Sequence, residues 1–207
     1  MRVLLINGSP HKAGCTYTAL AEVASALEQE GVESEIVWLG NGPVRDCIGC
    51  RGCRESGLCV FKDDIVNELI EKAKAADGLV FGSPVYYAHP NGRILSVLDR
   101  LFYAAGGSLA HKPGASVVSA RRGGTTASFD VLNKYFTISH MPIVSANYWN
   151  MVHGNTPDEV RQDEEGLRTM RNVGKNMAWL IKCIALGKEN GLSAPVPESG
   201  RGTNFIR

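Results

Sequence analysis

The sequence has no apolar run long enough to cross a membrane and no excess of charge of either sign. Its first apolar run, residues 3–6, is followed at once by Asn7 and Gly8, too early for the core of a secretory signal. The formal net charge is +1, so no charge-driven binding to nucleic acid or to an anionic membrane is expected. The resulting prediction is a cytoplasmic protein with neither nucleic acid nor membrane as a partner.

Cysteines are few and unevenly placed. Cys15 and Cys183 stand alone, whereas the other four crowd together at Cys47, Cys50, Cys53 and Cys59. In a reducing compartment such a cluster indicates metal or redox chemistry rather than disulfides. A zinc ribbon would separate two Cys-x2-Cys pairs by roughly 15–20 residues, and this spacing does not. The repeated two-residue gaps instead place thiolates where one small centre can collect them.

Short apolar runs alternate with amphipathic stretches along the chain. The runs predict strands at 3–6, 34–39, 78–82, 115–119 and 142–145, and the stretches predict helices at 16–30, from 63 onward, and at 91–103, 128–138 and 160–186, the last with a break near Gly166. This alternation predicts an α/β fold. The expected sheet is doubly wound, with five parallel strands in the order 2-1-3-4-5 and helices on both faces. One domain is predicted over 1–186, including a cysteine-rich excursion at 40–62, followed by an extended tail at 187–207.

Ligands of such sheets bind beyond the carboxyl ends of the strands, where the strand order reverses. Three segments follow such ends in this chain, at residues 8–16, 83–92 and 119–126. We expect these three loops to converge in space.

The first of these loops opens a helix, whose unpaired N–H groups favour an anion. Ser9 and Thr16 add hydroxyl groups, and His11 adds a group that carries positive charge when protonated. Ala13 stands where a P-loop needs its second glycine, and Pro10 stands where the dinucleotide fingerprint needs glycine. The loop therefore predicts a phosphate site of another kind, with a plain turn between strand and helix as the alternative.

Two segments resemble signatures of the NADPH-dependent FMN reductase family, namely Asn7-Gly8-Ser9-Pro10-His11-Lys12-Ala13-Gly14-Cys15-Thr16 and Gly82-Ser83-Pro84-Val85-Tyr86-Tyr87. The resemblance runs over nearly the whole chain. It implies a flavodoxin-like fold, an FMN phosphate in the first loop, an isoalloxazine ring along the second, and a homodimer or homotetramer. His11 stands where the family usually has arginine, and Cys15 where it usually has asparagine. A thiol at a helix N-terminus also allows a second interpretation of Cys15, as a reactive group.

The predicted FMN contacts are spread over all three loops. The second loop offers backbone amides and an aromatic surface, unless its tyrosines pack on the following helix. The third offers arginine charge to reduced flavin or to a nicotinamide phosphate, unless both arginines are simply solvated. The predicted contacts are Ser9, His11, Gly14, Cys15, Thr16, Pro84, Val85, Tyr86, Tyr87, Ser119, Arg121, Gly123 and Gly124.

The resemblance implies an FMN-dependent oxidoreductase. NAD(P)H would reduce the flavin, which would pass electrons to an unidentified acceptor such as a quinone or free flavin. The cysteine spacing also resembles that of iron–sulfur flavoproteins, in which four such cysteines hold a 4Fe-4S cluster and electrons pass singly to or from a ferredoxin-like protein. The FMN reductase family often carries cysteines here without a cluster, so no cluster, zinc and a redox disulfide stay open. A non-catalytic flavodoxin-like carrier is a third hypothesis, although carriers are typically acidic. No side chain is singled out as catalytic.

Overall fold

The structure, a computed structural model, describes residues 1–198, and its centre is a parallel β-sheet. The strands are β1 (Arg2–Asn7), β2 (Glu33–Trp38), β3 (Gly78–Tyr86), β4 (His89–Pro90), β5 (Gly114–Ala120) and β6 (Met151–His153). Five of them pair in parallel in the order β2-β1-β3-β5-β6, while the two-residue β4 pairs antiparallel with the end of β3. The predicted order 2-1-3-4-5 is therefore confirmed for the parallel strands, and β4 is an addition that the sequence did not indicate.

Helices cover both faces of the sheet. They are α1 (Cys15–Gln29), α2 (Cys53–Ser56), α3 (Val66–Ala75), α4 (Gly92–Leu109), α5 (Thr125–Ile138), α6 (Pro157–Val160) and α7 (Glu164–Glu189). Side chains of β1 alternate between two cores, because successive residues of a strand point to opposite faces. Val3 and Leu5 pack with α1 and α7, whereas Leu4 and Ile6 pack with α3, α4 and Phe136 of α5. Within the described residues, no helix combines the length and the apolarity needed to span a membrane.

The fifth parallel strand lies later in the chain than predicted. Residues 142–145 form only a single parallel bridge, between Ile143 and Gly114, although Val144 is buried and donates its N–H to the Gly114 carbonyl at 2.8 Å. The strand that extends the sheet is β6, paired with the last residues of β5. The prediction at 142–145 was wrong because burial against a sheet edge gives the same apolar pattern as strand pairing.

The end of β3 also differs from its prediction. The strand was expected to stop at Gly82 but continues to Tyr86, since it pairs with β5 up to Ser119 and then folds back onto β4. Tyr87 and Ala88 form the tight turn with positive φ values of 51° and 59°, as a type I′ hairpin turn requires at both central residues.

The long C-terminal helix is divided at a point other than the predicted one. Arg161 to Asp163 separate α6 from α7, and the Asp163 carboxylate accepts a hydrogen bond from the Gly166 N–H at 2.9 Å, as an N-cap. Helix α7 then runs to Glu189, three residues into the segment predicted as a tail. Residues 192–198 have no regular secondary structure, and the predicted tail at 199–207 lies outside the described residues.

Candidate functional site

Direct hydrogen bonds tie the first loop to the other two. The Gly8 N–H donates to the Gly82 carbonyl at 2.9 Å, and Asn91 Nδ2 donates to the Gly8 carbonyl at 2.5 Å. At the helical end of the same loop, the hydroxyls of Thr16 and Ser119 lie 2.8 Å apart. The carboxyl ends of β1, β3 and β5 therefore meet at one edge of the sheet, as the strand order requires.

The second and third loops pack directly on each other. Gly124 adopts a φ of +93°, and a Cβ atom there would lie 2.6 Å from Ala88 Cα and 2.9 Å from Val85 Cγ1. Only glycine satisfies both the left-handed backbone and this close approach. Gly124 thus brings the third loop against the β3–β4 hairpin. Val85 and Gly124, both predicted site residues, lie together in this one contact.

The first loop is held in shape by its own polar groups. Asn7 accepts a hydrogen bond from the Ser9 N–H at 3.1 Å and donates to the Lys12 carbonyl at 3.1 Å, so one amide bridges both sides of the loop. Ser9 Oγ accepts from the His11 N–H at 3.1 Å, and Trp38 Nε1 donates to the Ser9 carbonyl at 2.8 Å. These bonds fix the loop before any ligand arrives.

The start of α1 is left open for an anion. No side chain within residues 1–198 caps the first turn, Gly14 occupies the N-cap position, and the turn contains no acidic residue. The first intrahelical bond is that of the Thr18 N–H to the Gly14 carbonyl, so the N–H groups of residues 15–17 have no partner within the helix. Unpaired N–H groups and the positive end of the helix dipole form a phosphate site.

The predicted residues of the first loop differ in exposure. Ser9 and Thr16 are buried, whereas His11 is exposed. The loop borders a cavity of about 570 Å³, together with residues at or after the end of β2 and residues between β6 and the start of α6: Trp38, Asn41, Asn155 and Pro157. Of these residues, Trp38 also holds the loop itself, through its hydrogen bond to Ser9. Its position at the end of a predicted strand, where ligands of such sheets bind, is the sequence signal that points to it.

Cys15 lies at the N-terminus of α1 but is not set up as a reactive thiol. Its Sγ lies 3.7 Å from the Gly154 carbonyl, which it contacts as a weak donor. Burial raises the pKa of the Cys15 thiol above its ordinary value, and the backbone hydrogen bond at the helix start lowers it less. The interpretation as a packing residue is therefore favoured over the reactive one.

The predicted residues of the second loop belong to the β3–β4 hairpin. Pro84, Val85 and Tyr86 are strand residues rather than loop residues, because β3 continues past its predicted end. Tyr86 is half exposed, and Tyr87 at the turn is fully exposed. The prediction that these tyrosines offer an aromatic surface at the sheet edge fits their exposure better than the alternative of packing on α4.

The third loop combines a buried hydroxyl with exposed charge. Ser119 is buried next to Thr16, whereas Arg121 and Gly123 are exposed. None of the ion pairs among residues 1–198 involves Arg121 or Arg122. Both guanidinium groups are thus available to an anionic ligand at this edge.

The four clustered cysteines line one cavity of about 310 Å³. The segment that carries them follows α4: Arg93 donates to the Gly42 carbonyl near the helix start, and the Cys53 thiol donates to the Tyr103 carbonyl at 3.4 Å near its end. In the described part of the chain no three of the thiols already form a metal site. All four nevertheless face the same space, and thiolates are the donors that iron–sulfur clusters and zinc prefer.

Two further residues of the site were missed by sequence reasoning. Asn91 caps α4 by accepting from the Ile94 N–H at 3.0 Å while it holds Gly8, so one residue fixes both a helix start and the phosphate loop. An asparagine before an apolar helical pattern is a cap signal that sequence reasoning can use. Arg100 is fully buried beside the cysteine cavity, and its place in an amphipathic helix gave no such signal.

Comparisons with known proteins agree with this architecture. A family model described as NADPH-dependent FMN reductase matches residues 1–156. An iron–sulfur flavoprotein of Methanocaldococcus jannaschii is 34% identical over 192 residues, covering 89% of this chain and 99% of that protein. An iron–sulfur flavoprotein of Archaeoglobus fulgidus is 33% identical over 200 residues, covering 92% and 98%. A solved flavodoxin from the domain Archaea is similar in fold, with a TM-score of 0.61 at 13% identity over 88% of this chain and 99% of that one.

The family match covers the phosphate loop, the β3–β4 hairpin, the third loop and the cysteine segment together. The flavodoxin-like prediction is confirmed by the parallel strand order and by the structural likeness. The chain belongs to the NADPH-dependent FMN reductase family and is a flavodoxin-like flavoprotein oxidoreductase.

Proposed function

We propose that this chain binds FMN at the three-loop edge of its sheet, accepts reducing equivalents from NAD(P)H, and passes electrons onward through a 4Fe-4S cluster held by the four clustered cysteines. The observation that carries the flavin part is the meeting of the three loops at the carboxyl ends of β1, β3 and β5, through the Gly8–Gly82 and Thr16–Ser119 contacts. The final acceptor and the predicted homodimer or homotetramer stay predictions.

The phosphate end of the proposed FMN site is the start of α1. The N–H groups of residues 15–17 have no partner within the helix, and the hydroxyl of Thr16 lies beside them. Exposed His11 and Lys12 add charge at the mouth, where Lys12 Nζ lies 6.0 Å from the Trp38 ring centroid. An N-terminal turn without acidic residues holds a phosphate dianion by hydrogen bonds and by the helix dipole.

The ring end of the proposed site lies between the β3–β4 hairpin and the third loop. FMN supplies the hydride and electron chemistry, and the chain positions the ring and stabilises its charge. Val85 and Gly124 hold the hairpin and the third loop together, so a ring bound there rests on fixed backbone. Arg121, which is exposed and outside every ion pair of the described chain, is the group proposed to stabilise negative charge on the reduced ring.

The cluster is favoured over a metal-free cysteine loop by a specific observation. All four thiols line a single cavity, and three arginines, Arg51, Arg54 and Arg100, line it with them. Asp64 balances the charge of Arg100, so Arg51 and Arg54 supply the positive charge that offsets the negative charge of four thiolates. The relatives named as iron–sulfur flavoproteins support the same interpretation.

The two proposed sites are joined by one rigid element. Asn91 caps the start of α4 at the flavin edge, and Arg100 borders the cysteine cavity nine residues later. At 1.5 Å per residue, this places the two about 14 Å apart along the helix axis. A single helix therefore fixes the positions of the two proposed sites relative to each other.

One anaerobic experiment tests the flavin and nicotinamide parts. Purified protein loaded with FMN is mixed separately with NADH and with NADPH, and the absorbance of oxidised flavin is followed. We expect at least one of the two to bleach the flavin. Flavin that stays oxidised with both, yet is reduced by dithionite, would contradict the NAD(P)H part and favour the carrier hypothesis.

Iron and acid-labile sulfide test the cluster part. Protein purified without oxygen, or reconstituted with ferrous iron and sulfide, is expected to bind four of each per chain and to absorb broadly beyond the flavin bands. Zinc in place of iron, or neither metal after reconstitution, would contradict the cluster while leaving the flavin proposal intact.

A further inference from the structure

Arg100 connects the cysteine segment to the body of the protein. Its side chain is 1% exposed, and its Nη1 and Nη2 pair with the two carboxylate oxygens of Asp64 at 2.5 and 3.0 Å. Nη1 also donates to the Arg45 carbonyl at 3.1 Å, and Nε donates to Cys59 Sγ at 3.2 Å. The guanidinium group thus contacts both ends of the cysteine segment and the residues just before α3.

Cys59 is fixed through both its main chain and its sulfur. The Asn67 side chain binds its backbone twice, accepting from the Cys59 N–H at 2.8 Å and donating to its carbonyl at 3.0 Å. With the thiol against Arg100, both the main chain and the sulfur of Cys59 have fixed partners. Cys50, by contrast, is exposed. The position of Cys59 is therefore set before a cluster binds.

The charge of Arg100 is balanced, but its Nε–H is aimed at sulfur. Asp64 neutralises the guanidinium group through two parallel hydrogen bonds, which leaves Nε as the donor that faces the cavity. A cysteine thiolate bound to iron accepts hydrogen bonds more strongly than a neutral thiol, since charged acceptors form the stronger bonds. When the cluster takes up one electron its sulfurs become more negative, so this hydrogen bond strengthens in the reduced state.

We propose that Arg100 is a positioning residue that donates its Nε–H to the cluster-bound sulfur of Cys59 and thereby raises the midpoint potential of the cluster. The inference rests on the proposed cluster. The couple transfers one electron and no proton, and no bond to iron forms or breaks. Hydrogen bonds to cluster sulfurs are an established means of setting such potentials.

The test compares two double variants, each of which replaces an arginine by methionine and its aspartate partner by asparagine. Arg100→Met with Asp64→Asn removes the donor and its counter-charge together, so that no buried charge is left unpaired. Arg45→Met with Asp63→Asn removes the neighbouring pair, whose atoms Nη2 and Oδ2 lie 2.7 Å apart on the surface. Arg100 and Arg45 both lie over the Phe61 ring, at 5.3 and 5.0 Å from its centroid. Of these two, Arg100 is the one that donates a hydrogen bond to a cysteine sulfur within the described residues.

The readout is the midpoint potential of the cluster, taken from a dithionite titration followed by electron paramagnetic resonance. We expect a more negative midpoint in the Arg100 double variant and an unchanged one in the Arg45 double variant, with equal iron content in both. Arg100→Lys keeps charge beside Asp64 but lacks the forked donor geometry, and it serves as the comparison should the Arg100 double variant fail to fold.

Two results would overturn the inference, and they are distinguishable. A full iron complement with a wild-type midpoint in the Arg100 variant would overturn the role of Arg100 alone. Reconstituted wild-type protein without iron would overturn the proposed cluster and, with it, this inference.

Discussion

Arg100 and Asp64 form a two-point ion pair that is almost completely removed from solvent, with 1% and 6% of their side chains exposed. Asp64 Oδ1 also accepts from the Val66 N–H at 3.1 Å, at the start of α3. One carboxylate therefore stabilises a helix start and the buried cation that holds the cysteine segment.

The burial of the Arg100–Asp64 pair leads to a prediction about the free energy of unfolding. Asp64→Asn should lower the free energy of unfolding by about 3–5 kcal/mol, because it leaves the Arg100 charge buried without its partner. Asp63→Asn is the matched control, since Asp63 pairs with Arg45 where both side chains are 58% exposed, and it should change stability little. Urea titrations of the two variants measure both effects. Equal losses would mean that burial of the pair is not what matters.

The hydroxyl of Thr16 is predicted to bind the FMN phosphate. Thr16→Val should weaken FMN binding by about 1.5–3 kcal/mol, or roughly tenfold to a hundredfold in Kd, because a hydrogen bond to a charged group is lost. Thr18→Val is the control, since the Thr18 hydroxyl already donates to the Gly14 carbonyl at 3.2 Å. Quenching of FMN fluorescence gives both constants. Unchanged binding in Thr16→Val would place the phosphate elsewhere.

Serine substitutions test the cysteine assignment. Each of Cys47→Ser, Cys50→Ser, Cys53→Ser and Cys59→Ser should lose most of its bound iron after reconstitution, because a serine oxygen is a poor substitute for a thiolate. Cys183→Ser changes an exposed thiol of α7 outside the cavity and should keep its iron. Iron determination measures how much iron each variant binds, and circular dichroism checks that each variant is folded. Iron that survives in any of the four would remove that cysteine from the ligand set.

Tyr135 should make stability depend on pH in the alkaline range. Burial, together with the hydrogen bond from its hydroxyl to Asp99 at 2.5 Å, raises the pKa of Tyr135 above its ordinary value of 10. The folded state thus keeps the proton while the unfolded state releases it. The contribution of Tyr135 is therefore complete below pH 10 and is lost as the pH rises above that value.

The pH dependence is checked by unfolding at a series of pH values from 8 to 11 or so. Tyr135→Phe should flatten the decline above pH 10, whereas Tyr148→Phe, which changes a half-exposed tyrosine, should leave it as in the wild type. A wild-type slope in Tyr135→Phe would show that other groups cause the decline.

Local patterns were sufficient for much of the fold. An apolar run followed by Gly8-Ser9-Pro10 and an amphipathic stretch indicated β1, its loop and α1. Threonine followed by proline is a helix-start pattern, and Thr156 Oγ1 accepts from the Glu159 N–H at 3.2 Å at the start of α6. Strand order followed from the alternation of strands and helices, because right-handed crossovers leave few arrangements of a parallel sheet.

The same patterns failed where a segment is buried without pairing as a regular strand, and where a strand is too short to show a pattern. Residues 142–145 are as apolar as a strand but form only one bridge, whereas β6 is short and gave no signal. Helix α7 was expected to break at Gly166, yet the Asp163 cap sets its start. Periodicity reports which side chains are buried and does not report what the backbone pairs with.

The sequence by itself determined the parallel strand order, the three loops at one sheet edge and the family to which the chain belongs. Only the tertiary structure decided how those loops are held, through Asn91 on Gly8, Ser119 on Thr16 and Gly124 on Ala88, and that Arg100 reaches Cys59. The physical reason is separation along the chain. These contacts join residues 36 to 103 positions apart, and their hydrogen-bond geometry exists only once packed helices and strands have fixed both partners.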